Sequence, residues 1–193
     1  MAARTGWEST RTKSNSSRSF SNMLVMPVLA SSCTTLRSHS PAGSRNKFGS
    51  VGVGLSACEL AENPFLDEWR VQDLNRNPRL PFATAEFDGA AICVSIQHLT
   101  SPCEVIREAG RVLKPGAPLI VTFSNCCLPT RAIACWHLLD DAGHLCLIAH
   151  NFAEAGNWTD IRCLNRTPPG GGDPLYAVIG RSLGPAPPVG DDD

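Results

Sequence analysis

Acidic side chains are all but missing from the start of this chain: Glu8 stands alone before Glu59. With the Ser, Thr and Arg of residues 1–22, that composition suits a transit peptide for chloroplast or mitochondrion. An ordinary disordered N-terminus of a cytoplasmic protein, or an inexact start, fits it as well. No apolar run approaches the roughly 18 residues that a membrane-spanning helix needs. There is no charge excess either: seventeen basic against eighteen acidic residues leave a formal charge of −1. Bulk charge therefore gives no reason to expect a nucleic-acid partner. Nor is there a C-x-x-C among the nine cysteines, at positions 33, 58, 93, 103, 126, 127, 135, 146 and 163. An odd, scattered set without a secretion signal favours reduced thiols inside a cell, and the sequons at Asn15, Asn157 and Asn165 then carry no message. No internal repeat is visible.

What is present is enough for one core: 193 residues, 42% of them hydrophobic. The most informative stretch is Phe87–Asn125. Gly89–Ser95 is almost continuously apolar, as in a strand covered on both faces. Ser101-Pro102-Cys103-Glu104 then reads as a helix start, with Ser101 as cap, Pro102 at the first helical position and Glu104 closing a capping box. The helix puts Val105, Ile106, Ala109, Val112 and Leu113 on one side and Arg107, Glu108, Arg111 and Lys114 mostly outside. Pro115-Gly116 ends it, and Leu119–Phe123 is a second buried strand. Strand, helix, strand in this order make a parallel crossover unit.

Around that unit the signals are shorter. Met23–Leu29 reads as a first strand, although Pro27 argues against a well-paired central one. Ser50–Leu55 is a short strand, Ser56–Glu62 a short helix stopped by Asn63-Pro64, and Trp69–Val71 a strand. Residues 76–86 are a loop anchored by Phe82 and Phe87. Pro129–His137 and Gly143–Glu154 read as helices, Asp160–Leu164 as a strand, and Pro174–Gly180 as a last strand near the sheet edge. The expected layout is an N-terminal extension over 1–22, one domain over 23–181, and a disordered Pro/Gly/Asp tail over 182–193.

Several segments together resemble class I S-adenosylmethionine-dependent methyltransferases of the type 11 group, with the closest pattern in a little-characterised plant, algal and bacterial branch. They are Val71-Gln72-Asp73-Leu74-Asn75, Leu80-Pro81-Phe82 with Phe87-Asp88, Val94-Ser95-Ile96-Gln97, Arg111-Val112-Leu113-Lys114-Pro115-Gly116, Phe123-Ser124-Asn125 and Asp173-Pro174-Leu175-Tyr176. The resemblance covers roughly residues 50–181, with 23 as an alternative start, and implies a Rossmann-like α/β fold: a doubly wound, mostly parallel sheet of seven strands whose last strand is antiparallel. It implies S-adenosylmethionine as cofactor, lying across the carboxyl ends of the strands. It gives Asp73 the adenine amino group, with Leu74 beside the base, and Ser95 and Ile96 the methionine portion. Gly52 and Gly54 would line the ribose, where class I enzymes usually place an acid that this chain lacks until Glu59. Ser31 and Ser32 fall where the first cofactor motif belongs, but Val28–Cys33 has neither its acid nor its glycines. Either this branch uses serines there, or the N-terminal part is incomplete or replaced.

Methyl transfer from a sulfonium is a direct displacement, so the protein mainly aligns the reactants and excludes water. A base is needed only if the acceptor must lose a proton, and His98, just past the fourth strand, is the candidate. The expected acceptor is a small molecule. The rival reading is a catalytically inactive binding or scaffold protein with a degenerate cofactor motif. Other signals are thinner. The Cys/His-rich region from Cys126 to His150 lacks paired zinc spacing, so no metal is expected. Gly180-Arg181-Ser182-Leu183-Gly184 matches a nucleophile elbow in letters but precedes Pro-Ala-Pro-Pro, not a helix.

Overall fold

The computed structural model of the chain describes residues 22–26, 49–124, 132–169 and 173–184. Its strands are β1 (Asn22–Met26), β2 (Gly49–Gly54), β3 (Glu68–Val71), β4 (Gly89–Cys93), β5 (Pro118–Phe123), β6 (Trp158–Asn165) and β7 (Tyr176–Ser182). The helices are α1 (Ala57–Glu62), α2 (Pro102–Val112) and α3 (Asp141–Ala155). The strands form one seven-stranded sheet in the order β3-β2-β1-β4-β5-β7-β6. Strands β1 to β5 pair in parallel, while β7 runs antiparallel to both β5 and β6.

That order decides where the helices go. The β2-α1-β3 connection runs outward one way, and β4-α2-β5 runs the other way. Right-handed crossovers therefore put α1 on one face and α2 on the opposite one. Helix α3 returns from β5 to β6 and packs against α2. The change of direction between β1 and β4 is a topological switch point, where ligands of open α/β sheets bind beyond the carboxyl ends.

Helix α2 buries Val105, Ile106, Ala109 and Val112, the face that its periodicity marks. Phe87, Phe123 and Phe152 are wholly buried in the same core; each such side chain is worth about 1.5–3 kcal/mol of burial. Phe82 packs edge-on against Phe87 with ring centres 4.9 Å apart and so anchors the loop between β3 and β4. Gly110 is required because a Cβ there would collide with buried Asn157, whose Nδ2 donates to Arg107 O at 2.9 Å. Arg107 in turn reaches the last carbonyls of α3, Glu154 O and Ala155 O, both at 3.2 Å. A cation there also suits the helix dipole.

Some expectations need correcting. Strand β1 is central, paired on both sides over Asn22–Met26, while Pro27 lies outside the described residues. Ser101 precedes α2 but makes no side-chain capping bond; Pro102 opens the helix and Glu104 lies in its first turn. In place of a helix up to His137 there is one 3-10 turn, Ala134–Leu138, entered from extended backbone at Ile133. Residues 125–131 lie outside the described residues, as does Asn125 with its suggested substrate contact. The last strand, β7, lies one place in from the border, between β5 and β6, and β6 forms the border itself. Among the described residues no helix is long and apolar enough to cross a membrane.

Candidate functional site

The carboxyl edge of the sheet gathers the residues singled out in the sequence. Strand β4 ends at Cys93, and Val94 turns the chain with φ 46°. That left-handed backbone is costly for a β-branched side chain, and such strain concentrates at functional sites. The turn drives Ser95 inward, where it is fully buried and its hydroxyl donates to Met26 O at 3.2 Å. This bond spans the switch point itself, joining the ends of β1 and β4. A 3-10 turn, Ile96–His98, follows. Ile96 is buried in the core, and Gln97 is buried with its Nε2 on Val94 O at 3.1 Å. Among the described residues the Gln97 Oε1 atom has no partner. A buried acceptor left open is costly and invites a donor.

The loop after β3 closes against the same segment. Asp73 folds it: its Oδ1 accepts from Asn75 N at 3.0 Å, and its carbonyl accepts from Arg76 N and Asn77 N. The other carboxylate oxygen is 3.7 Å from Arg76 Nε, on a side chain that is itself highly exposed. That oxygen is therefore open to a further donor. Leu74 is buried in the main core beneath the loop. Asn75 then ties the two loops together. Its Nδ2 donates to His98 O at 3.0 Å, and its Oδ1 accepts from Thr100 N at 2.8 Å and from Thr100 Oγ1 at 3.2 Å. The structure thus brings Asp73, Leu74, Ser95, Ile96 and His98 to one edge of the sheet.

The other candidates fall differently. Gly54 is buried at the end of β2, with Gln72 N donating to its carbonyl at 2.9 Å. Gly52 lies mid-strand, and a Cβ on it would run into Leu66 and Leu60. Its bareness therefore serves packing on the α1 side. Ser31 and Ser32 lie outside the described residues. Among the described residues, no group of three His, Cys, Asp or Glu side chains could hold a metal ion.

Two features went unread in the sequence. One is the Asn75 tie, whose only signal is an Asn two residues after an Asp. The other is an aromatic cluster at the end of β5. Phe123 meets Trp136, His144 and Tyr176, and Trp136 stacks on His144 with centres 3.9 Å apart. His144 Nε2 lies 2.8 Å from Trp136 O, and Tyr176 donates to Asp141 Oδ2 at 2.8 Å. That phenol's pKa is raised, first by the bond to Asp141 and then by burial and the carboxylate's charge. A cavity of about 290 Å³ opens at the opposite, amino edge, between the starts of β2 and β3 and the loop Pro81–Ala83. It is remote from this constellation.

Comparison with known proteins agrees with the geometry. Residues 51–121 match the family model described as a methyltransferase domain. The fold matches Haemonchus contortus phosphoethanolamine N-methyltransferase 2, solved with S-adenosyl-L-methionine, at a TM-score of 0.55 and 14% identity over 89% of this chain and 50% of that one. The chain has the class I methyltransferase fold. The methyltransferase-like architecture recurs in the (4+2)-cyclase SpnF, with TM-score 0.54, 16% identity, and 86% and 76% of the two chains covered. It recurs too in a chain of a Haloferax volcanii complex containing the Trm112 methyltransferase activator, with TM-score 0.53, 15% identity, and 86% and 83% covered. No curated protein sequence matches the chain.

Proposed function

We propose that this protein binds S-adenosylmethionine across the carboxyl edge of its sheet and passes the methyl group to a small-molecule acceptor. The observation that carries the reading is the locked pair of loops beside the switch point. Asn75 fastens the Asp73 loop to His98 and Thr100, and Ser95 fastens the β4 turn to the end of β1. The residues fit the group. The less engaged oxygen of Asp73 can accept from an adenine amino group, with Leu74 backing the base. Ser95 and Ile96 border the methionine portion. Gly54 and the following segment up to Glu59 border the ribose. Gly52 acts indirectly, by letting Leu66 approach the strand. Ser31 and Ser32 follow β1 and would take the place of the glycine motif.

The bound sulfonium supplies an activated methyl group. The chain's own task is to orient and to exclude water, which two loops fixed by hydrogen bonds do better than free ones. His98 takes a proton where the acceptor must lose one; an acceptor already carrying a lone pair needs no such step. The rival, an inactive scaffold with this fold, draws its support from Val28–Cys33, which has neither acid nor glycine.

Titration calorimetry with S-adenosylhomocysteine separates the two. Binding that weakens by about 1–3 kcal/mol in Asp73→Asn supports the cofactor reading, that being the scale of a hydrogen bond to a charged group. Asn keeps an oxygen for the Asn75 turn, so the change isolates the charge. Absence of heat and of any thermal shift at millimolar cofactor leaves the scaffold. A labelled methyl donor offered with a metabolite extract then finds the acceptor. Cofactor binding without any transfer would instead point to non-methylating chemistry on this fold.

A further inference from the structure

The two borders of the sheet are built to opposite designs. Border strand β6 carries a bulge between Thr159 and Arg162, and Asp160 there has φ 53°. Asp160 and Arg162 pair at 2.9 Å over the irregularity. A bulge of this kind bends a border strand away from pairing with another chain. Border strand β3 has neither bulge nor positive φ. It is exposed along its whole length, and β2 is its sole partner among the described strands. Its exposed side chains include large apolar ones: Trp69 is 39% exposed, Val71 53%, and neighbouring Phe65 65%.

We propose that β3 is a docking edge for a second copy of this chain, with the two β3 strands pairing antiparallel about a two-fold axis at Trp69. The argument is one of parity and charge. Alternate residues of a strand turn their backbone groups to alternate sides, so outward-facing residues pair only with outward-facing ones. A two-fold pairing of β3 with itself can therefore match only positions two, four or zero residues apart. Of the registers this allows within the strand, one sets Glu68 against Glu68 and another sets Arg70 against Arg70. A third is centred on Val71 and pairs only that one residue of the strand with its copy, and the fourth sets Glu68 against the second copy's Arg70 on both sides of a central Trp69 pair. Like charges directly opposite destabilise a strand pair, and opposite charges and aromatic pairs stabilise it. Charge and overlap together thus select a single register, and that register is also the one that joins the two indoles.

Within one copy, Arg70 spans Glu68 at 3.3 Å and the Trp69 carbonyl at 3.0 Å. In the pair, the same guanidinium turns to the second copy's Glu68 and releases that carbonyl for an interchain bond. Two isologous halves would make one sheet continuous through the axis. The strand is only four residues long, so the association is a reversible equilibrium that rises with concentration, not a permanent dimer.

Sedimentation equilibrium on the full chain tests this. The weight-average mass should climb toward twice the chain mass as concentration rises. Arg70→Glu puts carboxylates opposite one another at both symmetric pairs and should weaken association at least about tenfold. The doubly exchanged Glu68→Arg/Arg70→Glu chain restores complementarity and should dimerise again. Both side chains are exposed, so the fold survives, and far-UV circular dichroism checks it. A chain that stays monomeric throughout, a dimer indifferent to Arg70→Glu, or a double exchange that fails to restore pairing overturns the proposal. Each readout is independent of whether the cofactor binds.

Discussion

The switch point divides the sheet into two unequal wings. On one side, β4, β5, β7 and β6 are backed by α2 and α3, and Phe87, Phe123, Phe152, Ile148 and Val178 are all fully buried there. On the other side are β1, β2 and β3, and β2 and β3 lean on α1, a six-residue helix whose one buried side chain is Leu60. The first wing carries most of the buried core, which Leu24, Met26 and Val53 continue into the second. The second is a thin shelf whose outer strand is exposed throughout. Yet the Asp73 loop, with its open carboxylate oxygen, belongs to the thin wing. The thick wing holds the fold, and the thin wing presents loops. A ligand bridging the two stabilises the thin one most, because a ligand that binds only the folded state adds to its stability.

Cutting the thick wing should cost most. Phe152→Ala removes a fully buried ring that meets Trp158 edge-on at 5.1 Å. We expect a loss of about 3–5 kcal/mol in a denaturant titration. The matching cut in the thin wing, Leu60→Ala, should cost about 2 kcal/mol, the low end for such truncations. Equal losses would show that α1 is packed as tightly as the helices of the thick wing. Next comes the strap between the loop 76–86 and α2. Arg111 donates to Leu80 O and Phe82 O, each at 3.0 Å, and to Glu108 at 2.8 Å, while Glu108 accepts from Leu80 N at 3.0 Å. Arg111→Ala should cost about 2 kcal/mol, as a partly buried, charge-assisted network does.

The same strap sets a pH dependence. Burial pushes the Glu108 carboxyl up, but the hydrogen bonds from Arg111 and the Leu80 N–H, with the charges of Arg111 and Arg79, outweigh it and hold the pKa below the usual value. A depressed folded-state value means stability that is present above the ordinary glutamate range of about 4 and is lost as pH falls through the lower folded value. Glu108→Gln should therefore flatten the acid side of the stability profile. An unchanged slope below pH about 4 would show that the strap does not titrate with folding.

How much of this was legible follows the same division. In the thick wing, helix α2 and its flanking strands are marked by local periodicity, and the structure buries the face that Val105, Ile106, Ala109 and Val112 define. Local signals fail where pairing is remote. Pro27 counts against a central strand only if the strand includes it, and nothing nearby says that Asn22–Met26 pairs on both sides. The place of β7 inside the sheet depends on β6 reaching beyond it, which no motif in 174–180 records. At the site, Asp73, Ser95 and His98 were named through family resemblance. The bonds that join them, Ser95 to Met26 and Asn75 to His98, run between residues 69 and 23 positions apart. Spacing along the chain does not show such contacts. The strained turn at Val94 is hidden for the opposite reason, since a valine at the end of an apolar strand looks like more strand.

Val94 also allows the finest test of the contrast between the wings, because it lies where they meet. A left-handed conformation costs a residue with a Cβ about 1–2 kcal/mol. Val94 is 37% exposed, so its burial returns little of that. Glycine removes the steric cost but loses about 0.5–1 kcal/mol of backbone entropy. Val94→Gly should therefore raise stability slightly, by about 0.5 kcal/mol, measured as a shift of the denaturation midpoint at constant slope. If the strain exists to hold Ser95 against Met26, the more stable variant should bind S-adenosylhomocysteine less tightly, since the turn that aims Ser95 is then free to relax. Stability rising while affinity falls would locate the strain in the service of the site. If the two rose together, the turn would be an accident of the chain's path, and the meeting of the wings would owe nothing to Val94.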